Sequence, residues 1–246
     1  NVGIALGPPA VTYLVTTFGL HGTAGMLVPG ALAAVLIAAV LPMLVPPAAV
    51  RTGAASGARP TARDMPGAMA LLIGVVTVRS WTQLGLVSYV PFLYVDVLGA
   101  DARVVGPLLF LFLGAGAIGT LSGGPIADRW GARRYITASM LVSVPLLAGF
   151  LWGRGGWPAT LCLAASGFVL VSSFSVTVAL GQSYLPRQLG MAAGLIVGLA
   201  IGTGGIGVAL FGWIADHWGL WATLRLIAAL PLAGFALALL LPEPHR

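Results

Sequence analysis

Charged side chains are scarce in this sequence. Only 7% of its 246 residues are charged, whereas an ordinary soluble domain carries about a quarter. Lysine is absent, so the twelve basic residues are all arginines, and only six residues are acidic. The shortage excludes a water-soluble fold. The net charge of +6 is therefore not collected on a basic face of a soluble domain, and we expect the protein to bind no nucleic acid.

Metal ligands and redox groups are equally few. The single cysteine, Cys162, lies inside an apolar run, which favours neither a disulfide nor a zinc site, and His21, His217 and His245 are scattered. All six acidic residues fall at or near predicted loops, so no catalytic constellation is visible, and we expect neither a cofactor nor an enzyme activity. A repeated pore element or filter ring, which a channel would need, is also lacking.

The sequence has long apolar runs instead. Hydrophobic residues make up 59% of it and form runs of about twenty, the length that crosses a hydrocarbon core of about 30 Å. Backbone polar groups in lipid need internal partners, and the alternating pattern of a barrel is missing, so the fold class is all-α membrane protein. We predict eight spans, at residues 2–19, 25–49, 67–94, 104–125, 135–152, 158–182, 191–214 and 221–241.

The longest polar break divides these spans into two and six. Residues 51–66 are rich in Arg, Gly, Ala and Pro and have no apolar periodicity, as is typical of a linker. We therefore expect residues 1–50 to belong to one helical bundle and residues 67–246 to form a second bundle. Because an apolar run is already under way at Asn1, we expect the chain to be a fragment of a longer protein.

The arginines are distributed unequally between the two predicted sides of the membrane. The segments 51–66, 126–134 and 183–190 and the C-terminus share one side, and the opposite side holds only Arg103 and Arg154 clearly outside a span. The positive-inside rule makes the first side cytoplasmic. Its arginines are Arg51, Arg59, Arg63, Arg129, Arg133, Arg134, Arg187 and Arg246.

An internal repeat has the sequence GPIADRWG at residues 124–131 and GWIADHWG at residues 212–219. Three predicted crossings separate the copies, which places them on opposite faces, as in the inverted three-plus-three repeats of secondary transporters. We expect Gly124 to permit a close helix approach, Asp128 to cap a helix and Gly131 to turn the chain. The alternative is that such turns recur by chance.

The first copy extends to a motif that resembles the signature loop between helices eight and nine of the major facilitator superfamily. The resemblance implies the fold of that superfamily, with the eight spans as helices five to twelve and with helices one to four missing. It also implies that Asp128 and Arg129 belong to a network that holds the inward gate closed. The motif residues are Gly124, Asp128, Arg129, Gly131, Arg133 and Arg134.

A second motif, Gly3-x3-Gly7-Pro8, resembles the fifth-helix motif of proton-coupled antiporters, although Val11 and Thr12 stand where paired glycines are expected. Together with residues 79–81 and 181–186, it makes the chain look most like the fosmidomycin-resistance branch of drug efflux proteins. The resemblance implies proton-coupled efflux of a small molecule across a bacterial inner membrane, with the proton carrier in the missing helices. Uptake of a small metabolite is the alternative.

Arg79 is the leading candidate for a binding residue. It lies near the middle of a predicted span, where an arginine costs about 2.5 to 3.5 kcal/mol, and no carboxylate is in reach along its helix. Gln83 is one turn away, and Tyr94 lies on roughly the same stripe. We expect Arg79 to face a cavity and to pair with an anionic substrate or with an acid in the missing helices; the alternative is a structural arginine bonded to backbone carbonyls.

Three other sets of residues invite interpretation. Ser172, Ser175 and Gln182 share a face of their span, where they form either a polar cavity wall or local bonds to backbone and neighbouring helices. Arg225, a turn or so inside the last span, is explained by snorkelling to the interface. Gly194, Gly198 and Gly202, spaced by four, are predicted to pack against another helix.

Overall fold

The computed structural model describes residues 2–19, 25, 27–44 and 64–243, and the regular structure in these ranges is helical. Six of the helices, α3 to α8, are long and apolar enough to cross a membrane. This confirms an all-α membrane fold. The helices are α1 (Val2–Phe18), α2 (Leu27–Leu44), α3 (Pro66–Phe92), α4 (Val105–Trp130), α5 (Ala132–Trp152), α6 (Trp157–Tyr184), α7 (Leu189–Trp218) and α8 (Leu220–Leu239).

The helix bounds follow the predicted spans closely, and the differences are two short turns and a longer α4. A π-helical turn (Leu93–Val97) prolongs α3, and a 3-10 turn (Ala102–Val104) precedes α4. The helix α4 continues to Trp130, five residues past its predicted span, because apolarity marks only the part of a helix that lies in hydrocarbon. The predicted linker at 51–66 lies outside the described residues, apart from residues 64–66, where Pro66 opens α3.

The six helices α3 to α8 form one packed bundle around α6, which contacts α3, α4, α5 and α7. The closest contact joins α4 to α6 at glycines. A Cβ added to Gly116 would lie 2.7 Å from the Cβ of Val171, and one added to Gly119 would collide with the carbonyl oxygen of Phe168. Backbones at this separation gain extensive van der Waals contact, which drives helix association in lipid.

The glycine stripe predicted on α7 packs differently. A Cβ added to Gly194, Gly198 or Gly202 would meet no described atom within 4 Å, so no described helix packs closely on this face and the packing expectation stays a prediction. Gly207, by contrast, packs against the indole of Trp81: a Cβ added to Gly207 would lie 2.6 Å from Cγ of that ring. A spacing of four identifies one face of a helix, but it does not say which neighbour covers that face.

Hydrogen bonds gather four chain segments at one end of the bundle. The Met65 N–H donates to the carbonyl of Tyr184 (2.8 Å), the Tyr184 hydroxyl donates to the carbonyl of Pro242 (2.6 Å), and Arg133 Nη2 donates to the carbonyl of Leu239 (2.7 Å). This arginine-rich end, which also carries Arg129, Arg134 and Arg187, contains the loops predicted to share a side. The opposite, arginine-poor end carries residues 93–105, 151–160 and 219–225.

The two copies of the sequence repeat build the same corner at opposite ends of the bundle. Gly131 has φ +91° and its N–H bonds the carbonyl of Ala127 at 2.8 Å; Gly219 has φ +80° and its N–H bonds the carbonyl of Ala215 at 2.9 Å. The carbonyl oxygen of each of these glycines also accepts a hydrogen bond from the N–H of the residue four positions later. Matching geometry in both corners favours an internal repeat over chance.

Two details of the repeat differ from the prediction. Asp128 does not cap a helix N-terminus, because α4 continues past it to Trp130 and the N-cap of α5 is Gly131, without a side-chain bond. A Cβ added to Gly124 would meet no described atom within 4 Å, so no close approach is seen there. The third expectation is correct, since Gly131 makes the turn.

We expect Gly131→Ala and Gly219→Ala each to destabilise the full-length protein by about 1 to 3 kcal/mol, because their backbone conformations are almost exclusive to glycine. Thermal unfolding in detergent measures the loss. Gly67→Ala is the control, since Gly67 is helical and an added Cβ meets nothing within 4 Å among the described residues. Equal midpoints of thermal unfolding for all three variants would contradict the backbone geometry described for the two corners.

We expect Gly119→Ala to separate α4 from α6 and to lower stability by about 1 to 3 kcal/mol through overpacking. Gly114→Ala is a matched control on the same helix, because its added Cβ would meet only the ring of Phe110, at 4.0 Å. Thermal unfolding of the two purified variants gives the comparison. A Gly119→Ala protein as stable as Gly114→Ala would show that the two helices are not in glycine-mediated contact.

Candidate functional site

Arg79 is buried within α3, with 3% of its surface exposed. Its Nη1 donates to Gln83 Oε1 at 3.0 Å and its Nη2 donates to Ser80 Oγ at 3.4 Å. The guanidinium carbon lies 4.9 Å from the centre of the Phe174 ring on α6, in cation–π contact. The Nε atom is buried without a partner among the described residues. Within the described residues, the charge is therefore solvated by two side-chain dipoles and one aromatic face.

The described contacts distinguish between the two readings of Arg79. Within the described residues its hydrogen bonds go to side chains rather than to backbone carbonyls, and no described carboxylate pairs with it. A cation–π contact contributes about 0.5 to 2 kcal/mol, which does not offset the cost of several kcal/mol of burying an ion. The arginine thus retains both unused donor capacity and an uncompensated charge.

A cavity of about 300 Å³ lies beside this guanidinium, between α3, α4, α6 and α7. Its wall is apolar except at one end, where Arg79, Ser80 and Gln83 meet. The polar end can donate hydrogen bonds to an anionic group, and the apolar wall can contact hydrocarbon. The lining residues are Arg79, Ser80, Gln83, Leu84, Val87, Leu113, Val171, Phe174, Val197, Ala200 and Ile201.

The other predicted binding residues lie elsewhere. Tyr94 lines a separate cavity near the arginine-poor end, beside Thr160 and Arg154, because it lies fifteen residues, about 22 Å, farther along the helix than Arg79. Ser175 donates to the carbonyl of Ser172 at 3.3 Å. Gln182 is half-buried and is not part of the wall beside Arg79. Of the five candidates, the structure brings only Arg79 and Gln83 together at this cavity.

Ser172 has the local role that the alternative reading described. Its hydroxyl donates to the carbonyl of Val169 at 2.8 Å and lies 2.7 Å from the hydroxyl of Tyr135 on α5. Between the two serines, Phe174 is the residue of α6 that reaches Arg79. Sequence reasoning missed Phe174 because one aromatic residue inside an apolar run carries no signal of its own.

The gating-motif residues surround a second cavity, of about 470 Å³, at the arginine-rich end. Asp128, Arg129, Gly131, Arg133 and Arg134 line it together with the C-terminal Glu243. Arg133 joins this corner to the end of α8 through the carbonyl of Leu239. Within the part of the chain that the structure describes, the side chains of Asp128 and Arg129 form no ion pair.

The antiporter-like motif residues Gly3, Gly7 and Pro8 lie in α1. This helix packs against α4 near the arginine-poor end, where a Cβ added to Gly106 would lie 2.6 Å from Thr12 Oγ1. Thr12 occupies one of the positions where the resemblance expects a glycine. The close contact is still made, with the glycine on the opposite helix.

Comparisons with known proteins decide the family. The family model described as Major Facilitator Superfamily matches residues 1–199. The chain belongs to the Major Facilitator Superfamily.

Among the residues described, no group of three potential ligands could hold a metal ion.

Two relatives place the chain within this superfamily. The uncharacterized MFS-type transporter YfnC of Bacillus subtilis (strain 168) is 43% identical over 159 residues, which are 65% of this chain and 38% of that protein. The fosmidomycin resistance protein of Escherichia coli (strain K12) is 30% identical over 246 residues, 99% of this chain and 60% of that protein. This MFS chain therefore spans about three fifths of the length of the relative that it matches end to end.

We expect Arg79→Met to leave the ligand-free, full-length protein as stable as the wild type, or more stable by about 1 to 4 kcal/mol, because it removes an incompletely paired buried charge. Arg133→Met is the control, and it should cost about 1 kcal/mol through its lost hydrogen bond to Leu239. Thermal unfolding in detergent measures both. A strongly destabilised Arg79→Met would show that Arg79 is structural.

Proposed function

We propose that this chain is the C-terminal part of a transporter that exports a small anionic compound by alternating access, in exchange for protons. The observation that supports it is Arg79, a buried cation beside an apolar cavity with no described carboxylate to neutralise it. In a low-dielectric site such a charge binds an anion far more strongly than it would in water. The relative named for fosmidomycin resistance supports a drug-like anion.

Each polar group at this end of the cavity has a role in the proposed binding. The anionic group of the substrate takes hydrogen bonds from the Arg79 guanidinium, whose planar fork suits the paired oxygens of a phosphonate or carboxylate. Gln83 and Ser80 bond the nitrogens Nη1 and Nη2 and so hold the fork in orientation. The apolar wall contacts the remainder of the substrate. Residues of this chain thus bind and orient, and no chemical step is required of them.

Domain organisation and direction complete the proposal. Residues 1–50 supply the last two helices of an N-terminal bundle, residues 51–66 link the bundles, and residues 67–246 form the C-terminal bundle. The arginine-rich end is cytoplasmic by the positive-inside rule, in a bacterial inner membrane. Because no described acid lines the Arg79 cavity, the proton-carrying group lies in helices one to four, outside this chain.

Uptake of a small anionic metabolite is the second candidate. The observation that favours it is the departure of the antiporter-like motif from its pattern, with Val11 and Thr12 in place of paired glycines. Both functions use the same Arg79 cavity, and they differ in the direction of transport.

The test expresses the full-length protein in an efflux-deficient bacterium and measures susceptibility to fosmidomycin and to a panel of cationic drugs. We expect resistance to the phosphonate but not to the cations, and we expect Arg79→Ala to abolish that resistance at unchanged expression, because the anion loses the buried cation of this cavity. Arg187→Ala, an exposed arginine at the arginine-rich end, is the matched control and should keep resistance. Unchanged resistance in Arg79→Ala would contradict the site, and hypersensitivity caused by the intact protein would favour uptake.

A further inference from the structure

A cleft of about 630 Å³ at the arginine-poor end contains two of the few cations on that side. It lies where the ends of α3 and α5 meet the start of α8. Neither Arg154 nor Arg225 forms an ion pair or a side-chain hydrogen bond with a described residue, and no acidic residue lines the cleft. The lining residues are Leu98, Leu151, Trp152, Arg154, Trp221 and Arg225.

The backbone at Arg154 is strained. Arg154 has φ +43°, and among the described residues it is the one non-glycine with a positive φ. A side chain in this left-handed conformation costs about 1 to 2 kcal/mol, although a glycine would adopt it freely. The following residue, Gly155, also has a positive φ of 84°. Strain that persists at one residue points to a use for its side chain.

Arg225 approaches the cleft from the second turn of α8. Its neighbour Leu226 is 42% exposed, so this part of the helix faces outward from the bundle. The positive-inside rule depletes arginines at this end, and the described residues there include only Arg103 besides these two. Two like charges in one cleft repel each other. An anion bound between them would attract both guanidinium groups and so offset their repulsion.

Exposed tryptophans beside the cleft indicate its depth in the membrane. Trp152, the last residue of α5, is 88% exposed, and Trp157, the first residue of α6, is 75% exposed. Indole rings concentrate at the membrane–water interface, at the level of the lipid headgroups. The cleft therefore lies at the height of the phosphates in the leaflet at this end.

We propose that this cleft binds the phosphate of an anionic phospholipid, with Arg154 and Arg225 both donating to the phosphate oxygens. Guanidinium groups bind phosphate in a paired, planar geometry, which makes charge-assisted bonds stronger than neutral ones. Leu98, Leu151 and the two indoles of the cleft contact the glycerol and the acyl chains. A lipid satisfies both the charge and the apolar wall, whereas a free phosphate ion satisfies only the charge. The site does not depend on the transport function proposed above.

The test measures lipid retained by the full-length protein in native mass spectrometry after purification from mixed phosphatidylglycerol and phosphatidylcholine. We expect the wild type to retain phosphatidylglycerol in preference, and the double variant Arg154→Gln, Arg225→Gln to lose that preference by about tenfold or more, the equivalent of one charged hydrogen bond. Arg103→Gln is the matched control, an exposed arginine at the same end that lies outside the cleft, and it should behave as the wild type.

A second variant separates binding from folding. Arg154→Gly removes the cation and relieves the positive φ, so it should unfold at a temperature no lower than the wild type while losing phosphatidylglycerol. Retention of the lipid by either the double variant or Arg154→Gly, or an equal loss in Arg103→Gln, would overturn the site. Displacement of the lipid by millimolar inorganic phosphate would also overturn it, because the site would then be one for soluble anions.

Discussion

The contact between α4 and α6 is the constraint on which the cavity beside Arg79 depends. Gly116 and Gly119 allow α4 to approach α6 until Val171 and the carbonyl of Phe168 fill the space that a side chain would occupy. Val171 and its neighbour Phe174 then form one wall of the cavity, and Leu113 of α4 forms the next. Without that approach, Phe174 would not stand at a fixed distance from the guanidinium. A packing requirement of the bilayer thus positions a polar site.

The site keeps a charge in an environment that disfavours it. Gln83, Ser80 and the Phe174 ring together hold Arg79 in place, but they leave Nε without a described partner. A fully satisfied arginine would have no free energy to gain from a ligand. Incomplete solvation is therefore consistent with binding, since a transporter must hold its substrate firmly enough to select it and weakly enough to release it.

Sequence reasoning predicted the parts of this molecule that depend on long runs. Apolar segments predicted the helices, the number of spans predicted which loops share an end, and the repeat at 124–131 and 212–219 predicted two corners with the same geometry. Gln83 could be placed beside Arg79 because both lie on one helix. Partners on other helices could not be predicted, which is why Phe174 was missed. Tyr94 was misplaced for a different reason: it lies fifteen residues, about 22 Å, farther along the helix than Arg79, so a shared stripe does not bring the two side chains to one cavity.

The contact between Thr12 and Gly106 has a mechanical consequence. Where α1 crosses the start of α4, one surface carries a side chain and the other carries only backbone. The glycine surface accepts the threonine because no side chain projects from it, so the separation of the two helices is set by one side chain instead of two. The size of residue 12 therefore determines how closely α1 lies against α4 near the arginine-poor end.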